Sequence, residues 1–365
     1  ATGSSATKPT GINMNLPNIF TVRSRMDADK IIETLQKGDH IVVAGAGLIG
    51  LEIVAALTEM GIKTSLINRV SKLMNRQLDN ISAELLKEIV EENGTTIHSN
   101  DEIDTILSPA ENTLKVCLKS GKEVNSKAVI FGIGTSPTTY LAKDAGISVQ
   151  RGVIVDDHMQ TSDEKVFAIG EIAQHNDNMY GITMVAEEQG EVLARYLMGD
   201  VFSRFTGSIS RNILKYPGIE LCSIGMAEVP RDSKEHEEII FIDKAARYYK
   251  KCIVHNQKLV GAILMGDKAE FMEFKSLIKN KTELSDKRLT LLRSGQPAPQ
   301  AKGRIVCSCN NVGEGNIIEQ IEKGVTDFEQ LCQITGAGTG CGSCKPEVKA
   351  ILEKHLQLKS EKVWN

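Results

Sequence analysis

The chain has 365 residues, with 43 basic and 47 acidic side chains and a formal charge of −4. That length allows about two to four domains, and the mild acidity excludes general nucleic-acid coating, which needs a basic footprint. A membrane span would need about 18 consecutive apolar residues; the most apolar stretch, Ile41 to Leu57, is interrupted by Glu52 and three glycines. The opening residues show no secretory pattern. Four of the eight cysteines form two tight pairs near the C-terminus, and in a long chain such pairs serve metal more often than disulfides. A cytoplasmic, soluble, multidomain protein is expected.

The first strong pattern lies at residues 40–68. His40-Ile-Val-Val-Ala44 has the form of a buried strand, a glycine-rich turn follows, and Leu48 to Met60 is apolar at helical spacing. Gly61 stands where a helix-ending glycine belongs, and Lys63–Ile67 is a second strand pattern, so the two strands should be parallel. Asn80–Glu92 is expected to be helical, with strands at Thr95–His98, Thr113–Leu118 and Ala128–Ile133. A second α/β stretch over 126–200 has a Gly132-x-Gly134 turn, a strand at Val166–Ile169, then Gly170-Glu171, and a helix from Thr183 to Met198. Residues 205–285 change character. Strands are expected at Ile219–Gly225, Glu238–Asp243, Tyr248–Val254 and Leu259–Met265 with one helix near Lys268–Ile278, an α+β unit. Residues 294–303 are polar and rich in Pro and Gly, as a linker is. A compact tail unit holds both cysteine pairs.

Gly45-x-Gly47-x-x-Gly50 follows a strand and opens a helix, which is the context that gives this motif meaning. The first glycine permits the tight turn, the second lets a pyrophosphate approach, and the third lets helix and strand pack closely. The helix N-terminus adds unpaired N–H groups and partial positive charge. An acid at the end of the second strand would bind the ribose of NAD; this sequence has Asn68, then Arg69 and Lys72. That favours NADPH, with NADH still open.

Three further segments belong together: Ala1-Thr2-Gly3, Gly132-Ile-Gly134-Thr-Ser-Pro137, and Thr161-Ser162-Asp163 ahead of Val166-Phe-Ala-Ile-Gly170-Glu171. In this order around a dinucleotide unit they resemble the two-dinucleotide-fold flavoproteins of the pyridine nucleotide–disulfide oxidoreductase superfamily. The resemblance implies FAD, with Gly134 and Gly170 at the flavin and Glu171 on its ribitol, where the family has Asp. Gly181–Gly190, ending in Glu188-Gln189-Gly190, resembles the segment beside the isoalloxazine, and Glu52 the family's Gly-x-Glu element. The family's first flavin-binding unit normally precedes the Ala-Thr-Gly segment. This sequence opens inside that motif, so a fragment with weakened FAD binding is expected. The Cys-x₄-Cys spacing of a redox-active disulfide does not occur in it.

Cys307-x-Cys309 and Cys341-x-x-Cys344 have the composition of one metal centre, either tetrahedral zinc or a [2Fe–2S] cluster. Paired zinc cysteines usually have at least two residues between them, and Cys-x-Cys does not. Glycines at 336, 338, 340 and 342 would let backbone N–H groups reach the sulfurs. Lys345-Pro346-Glu347 should start a helix whose positive end faces the site, and Thr326-Asp-Phe-Glu329 has the capping-box form. The Val306–Val312 and Thr335–Cys344 segments resemble the bacterioferritin-associated-ferredoxin-type [2Fe–2S] domain, closest to the version in the NAD(P)H-dependent large subunit of assimilatory nitrite and nitrate reductases. Cys117, Cys222, Cys252 and Cys332 have no matching partners and are expected to be small buried residues.

The expected architecture is a Rossmann-like α/β NAD(P)-binding domain at 21–122 inserted in a truncated FAD-binding domain at 1–20 and 123–202. An interface-like α+β domain at 203–293, suited to packing, acceptor docking or a homodimer, the 294–303 linker and a small helical [2Fe–2S] domain at 304–358 complete it. By resemblance the chain passes electrons from NAD(P)H through FAD to the cluster and on to a siroheme nitrite reductase or nitrate reductase component. Two alternatives are a reductase of rubredoxin or another small electron carrier, and a non-catalytic dinucleotide sensor with a structural zinc tail. No general acid or base is assigned. Cys309→Ser should remove iron and leave nucleotide affinity intact, because the linker separates the units. Iron analysis beside nucleotide titration checks this, and a collapse of both would contradict it.

Overall fold

The computed structural model describes residues 1–110, 112–285, 287–288, 291–292 and 301–362, with side chains described to residue 357. Most of the linker expected at 294–303 lies outside them. Ile41, Val42 and Val43 are wholly buried, which a strand achieves only with both faces covered. Strands Ile19–Thr21, Ala128–Phe131, His40–Ala44, Lys63–Asn68 and Thr96–Ser99 form a parallel sheet in that spatial order. Alternation then sorts the side chains. Ile41 and Val43 pack with α1 (Arg25–Thr34), α2 (Leu48–Glu59) and α3 (Asn80–Glu92). Val42 and Ala44 face a three-stranded antiparallel sheet of Ile103–Ala110, Thr113–Leu118 and Glu123–Ser126. The chain crosses that small sheet and re-enters the large one at Ala128–Phe131, between His40–Ala44 and the edge strand Ile19–Thr21, so both segments pair within the sheet of the 21–122 unit.

The next unit is small. Ser4–Ala6 pairs antiparallel with Thr135–Pro137. Val153–Val155, Ala173–His175 and Asn178–Met179 form a second sheet, packed with α4 (Tyr140–Asp144) and α5 (Thr183–Leu197). The strand expected at Val166–Ile169 does not form. Its backbone bonds locally, Val166 to Asp163 and Ala168 to Met159, and Gly170 takes φ +80°. That left-handed residue breaks the extended path and opens a 3₁₀ turn, Gly170–Ile172.

Residues 211–265 build an antiparallel sheet in the order Arg211–Tyr216, Ile219–Gly225, Lys258–Met265, Tyr248–His255, His236–Asp243, backed by α6 (Phe271–Lys279). The C-terminal module has its own core, in which Ile317 and Ile321 of α7 (Glu314–Glu322), Leu331 of α8 (Phe328–Thr335) and Val348 of α9 (Lys345–Lys362) meet the cysteines. Asp327, not Thr326, caps α8, accepting from Gln330 N. Among the described residues no helix is long and apolar enough to cross a membrane.

A buried polar latch joins the first and third units. Asp79 caps α3 by accepting from Ser82 N at 3.0 Å, and also accepts from Tyr249 Oη at 2.5 Å and Lys251 Nζ at 3.0 Å. Burial alone would raise its carboxyl; the Tyr249, Ser82 and Lys251 donors outweigh that and hold it below its ordinary value. The latch therefore stabilises the fold above about pH 4 and fades as pH falls through the depressed value. Asp79→Ala should cost about 3 kcal/mol near neutrality, because it strands part of a buried ion pair. Urea unfolding at neutral and acid pH should show this loss shrinking in acid; an equal loss at both would contradict the assignment.

Candidate functional site

Gly45, Gly50 and Gly132 touch through their backbones. Gly45 has φ +104° and a Cβ there would stand 2.7 Å from Gly132 O; a Cβ on Gly50 would stand 1.7 Å from Gly45 O, and one on Gly132 2.8 Å from Gly50 Cα. Gly47 is different. Nothing lies within 4 Å of where its Cβ would be, and it begins α2 with no side-chain cap. The loop thus presents an open helix N-terminus with a partial positive charge, a form that suits a pyrophosphate. Gly132, read from the sequence as part of the flavin segment, also closes this loop from below.

Around the loop the polar residues divide. Asn68 is buried and its amide donates to the carbonyls of Val70 and Lys72 at 2.8 and 3.2 Å, so it shapes the turn. Arg69 is exposed and stands 3.9 Å from Glu102. Glu52, expected at the nucleotide, instead leans onto the Arg211–Tyr216 strand and accepts from Lys215 N at 3.3 Å. Burial raises its carboxyl, and the nearby Cys341 adds to the rise.

The separate flavin-like segments do converge. Ser4, just after Ala1-Thr2-Gly3, donates to Glu171 Oε2 at 3.0 Å, and Arg23 pairs with the same oxygen. Gly134 O accepts from Thr7 N at 3.0 Å. Gly170 N donates to Gln189 Oε1 at 2.7 Å. Gln189 is wholly buried, yet its Nε2 has no partner among the described residues. A buried amide left open beside Gly170 fits a site that receives a polar group.

The four paired cysteines meet. Cys309 Sγ lies 3.1 Å from Cys341 Sγ, and Cys307 neighbours Cys309 and Cys344. The sulfurs form a row, Cys344, Cys307, Cys309, Cys341. Protons shared along it, from Cys309 and Cys344, hold Cys307 and Cys341 below the ordinary thiol range and leave the donors above it. Gly338 N donates to Cys344 Sγ at 3.2 Å, and Ser343 Oγ lies 3.0 Å from Cys341 Sγ. Among the described residues no three His, Cys, Asp or Glu side chains surround a single metal-ion position. The donor set itself, four sulfurs with backbone N–H support at the start of α9, fits an iron–sulfur group. Of the other cysteines, Cys222, Cys252 and Cys332 are buried and Cys117 is half-buried.

Residues 1–190, more than half of the chain, match the family described as pyridine nucleotide-disulphide oxidoreductase. The chain belongs to this family. Residues 211–282 match the rubredoxin NAD+ reductase C-terminal domain and 305–354 the BFD-like [2Fe-2S] binding domain. FAD, NAD(P)H and a [2Fe–2S] cluster are the cofactors of the matched families. Among curated relatives, a nitrite reductase [NAD(P)H] of Bacillus subtilis is 32% identical over 93% of this chain and 43% of its own length. An assimilatory nitrate reductase electron transfer subunit of the same organism is 30% identical over 92% of this chain and 44% of its own. This chain therefore spans less than half the length of these relatives. A ferredoxin reductase from Rhodopseudomonas palustris shares the fold, with TM-score 0.71 and 20% identity over 81% of this chain and 74% of that one.

Sequence reasoning missed Arg23 and Ser4 at Glu171, Ser343 at Cys341, and the lysines described below that touch the cysteine loops. Ser343 lies within the Cys341-x-x-Cys344 motif and was passed over there; the others carry no motif and are placed by tertiary structure. The glycines yield a contrast. Gly50→Ala should destabilise by about 2 kcal/mol or more, since backbone must move. Gly47→Ala should leave the melting temperature unchanged yet weaken nucleotide binding about tenfold, or 1.4 kcal/mol. Calorimetric melting with nucleotide titration separates them, and equal effects at both positions would contradict the loop's assignment.

Proposed function

We propose that this chain is the electron-input part of a nitrite or nitrate reductase system. The observation that carries this reading is one chain holding both an open glycine loop at α2 and a row of four cysteine sulfurs. Glu187 of α5 pairs with Lys345, the residue after the last of those cysteines, at 2.7 Å. When bound, NAD(P)H supplies a hydride, FAD exchanges two electrons for single ones, and the cluster takes them one at a time. The chain's residues bind and orient. Gly45, Gly47 and Gly50 admit the pyrophosphate. Asn68 sets the turn that precedes Arg69; with no acid at the end of that strand and Arg69 exposed beside it, a 2′-phosphate would be accepted, which favours NADPH over NADH. Gly134, Gly170 and Glu171, the last fixed by Ser4 and Arg23, face the flavin. Cys307, Cys309, Cys341 and Cys344 hold iron. The single residue between Cys307 and Cys309, unusual for structural zinc, and the BFD-like match at residues 305–354 speak against the sensor reading.

In this reading the onward partner is a nitrite reductase or nitrate reductase component, as the names of the relatives suggest, with siroheme as the acceptor that the family resemblance implies. A second reading, delivery to rubredoxin or another small carrier, draws on the match at residues 211–282. The test is anaerobic turnover with FAD supplied, using NADH or NADPH and a dye acceptor, followed by each candidate carrier. Dye reduction and faster transfer to the siroheme protein support the proposal. Faster transfer to rubredoxin favours the second reading, and no dye reduction with FAD bound contradicts both.

A further inference from the structure

The antiparallel sheet unit carries no reacting group, yet it reaches both cysteine loops. Lys268, just before α6, donates from Nζ to the carbonyl of Ser308, the residue between Cys307 and Cys309. Lys275, on α6, donates to the carbonyl of Thr339, two residues before Cys341, at 2.6 Å. One ammonium group therefore rests on each ligand-bearing loop, and neither belongs to the module that carries the cysteines.

Both heads are withdrawn from water. The Lys268 side chain is 12% exposed, with Glu220 at 3.6 Å. Lys275 is half-buried and forms no ion pair among the described residues. Its charged neighbours are Arg211 and Lys279, offset by Glu188; burial first and then Arg211 push its amine down to about 8. Arg211 adds to the imbalance. Its guanidinium rests on Met184 Sδ at 3.0 Å, and its Nε is buried without a partner. A cation is seldom buried against a carbonyl without an ion pair, as Lys275 is, so around Lys275 positive charge is in excess on the face that meets the cysteine loops.

Reduction of a [2Fe–2S] cluster adds one electron with all four thiolates still bound and no bond broken. The added negative charge has to be met by nearby cations and dipoles, and these set the potential. We propose that Lys268 and Lys275 are positioning residues for that charge: held on the two cysteine loops, they stabilise the reduced cluster and raise its reduction potential. This inference rests on the cluster reading above. It gives the sheet unit a part in electron transfer, as the electrostatic seat of the cluster.

The test uses the full chain, cluster-loaded without oxygen, with the midpoint potential followed by electron paramagnetic resonance. Lys275→Gln and Lys268→Gln keep a donor for the carbonyl and remove the charge; Lys275→Arg keeps the charge. Each Gln variant should make reduction about tenfold less favourable, a shift of about 59 mV to more negative potential for one electron, and Lys275→Arg should stay close to the unsubstituted chain. Gln variants with an intact cluster signal and an unshifted potential would overturn the proposal. A Gln variant that loses its cluster would overturn it as well, by assigning the lysine to loop architecture. Absence of any cluster signal from the unsubstituted chain would instead defeat the cluster reading, so the two failures are distinct.

Discussion

Four cysteine sulfurs brought together neighbour to neighbour are the constraint on which the rest of this structure depends. They come from two loops 32 positions apart, and each loop is held by more than its own module. Gly338 gives a backbone N–H to one end of the row and Ser343 a hydroxyl to the other. Thiols crowded in this way share protons, so two lie below their ordinary range and two above. A metal group that takes all four as thiolates removes that competition, which is how the module's fold and its chemistry are linked.

The module is packed against the rest of the chain, where the linker at 294–303 led a separate unit to be expected. Lys268 and Lys275 bond its loop carbonyls, and Lys345 reaches Glu187 on α5. Glu52, on the helix that starts at the glycine loop, lies close enough to Cys341 for the two charges to feel each other. Meanwhile Asp79 bolts the first unit to the sheet unit through Tyr249 and Lys251. The result is one set of contacts running from glycine loop to cysteine row. In such an arrangement, distances between cofactors are set by packing and not by a tether.

Local patterns were legible in the sequence and tertiary ones were not. Asn80–Glu92 and Thr113–Leu118 have the limits their periodicity implies, because burial on one face dictates it. The glycine loop was legible because its glycines have different steric reasons, visible as spacing. α1 was missed: its residues are mostly polar, and its start rests on the reciprocal Ser24–Asp27 cap. Val166–Ile169 has strand composition, but its backbone partners lie in the loop just before it. Capping by Asp327 and not Thr326 was a choice between adjacent residues, both able to cap. Arg23 at Glu171 and the lysines at the cysteine loops depend on distant parts of the chain meeting, which no local pattern encodes.

The central claim is that the cysteine row holds a [2Fe–2S] cluster and passes electrons onward. The most direct measurement is the visible absorption spectrum of the chain purified without oxygen, with iron and acid-labile sulfide analysed on the same sample. The account predicts broad visible bands that bleach with dithionite, and iron and sulfide in equal amounts. A colourless protein with stoichiometric zinc and no labile sulfide would contradict it.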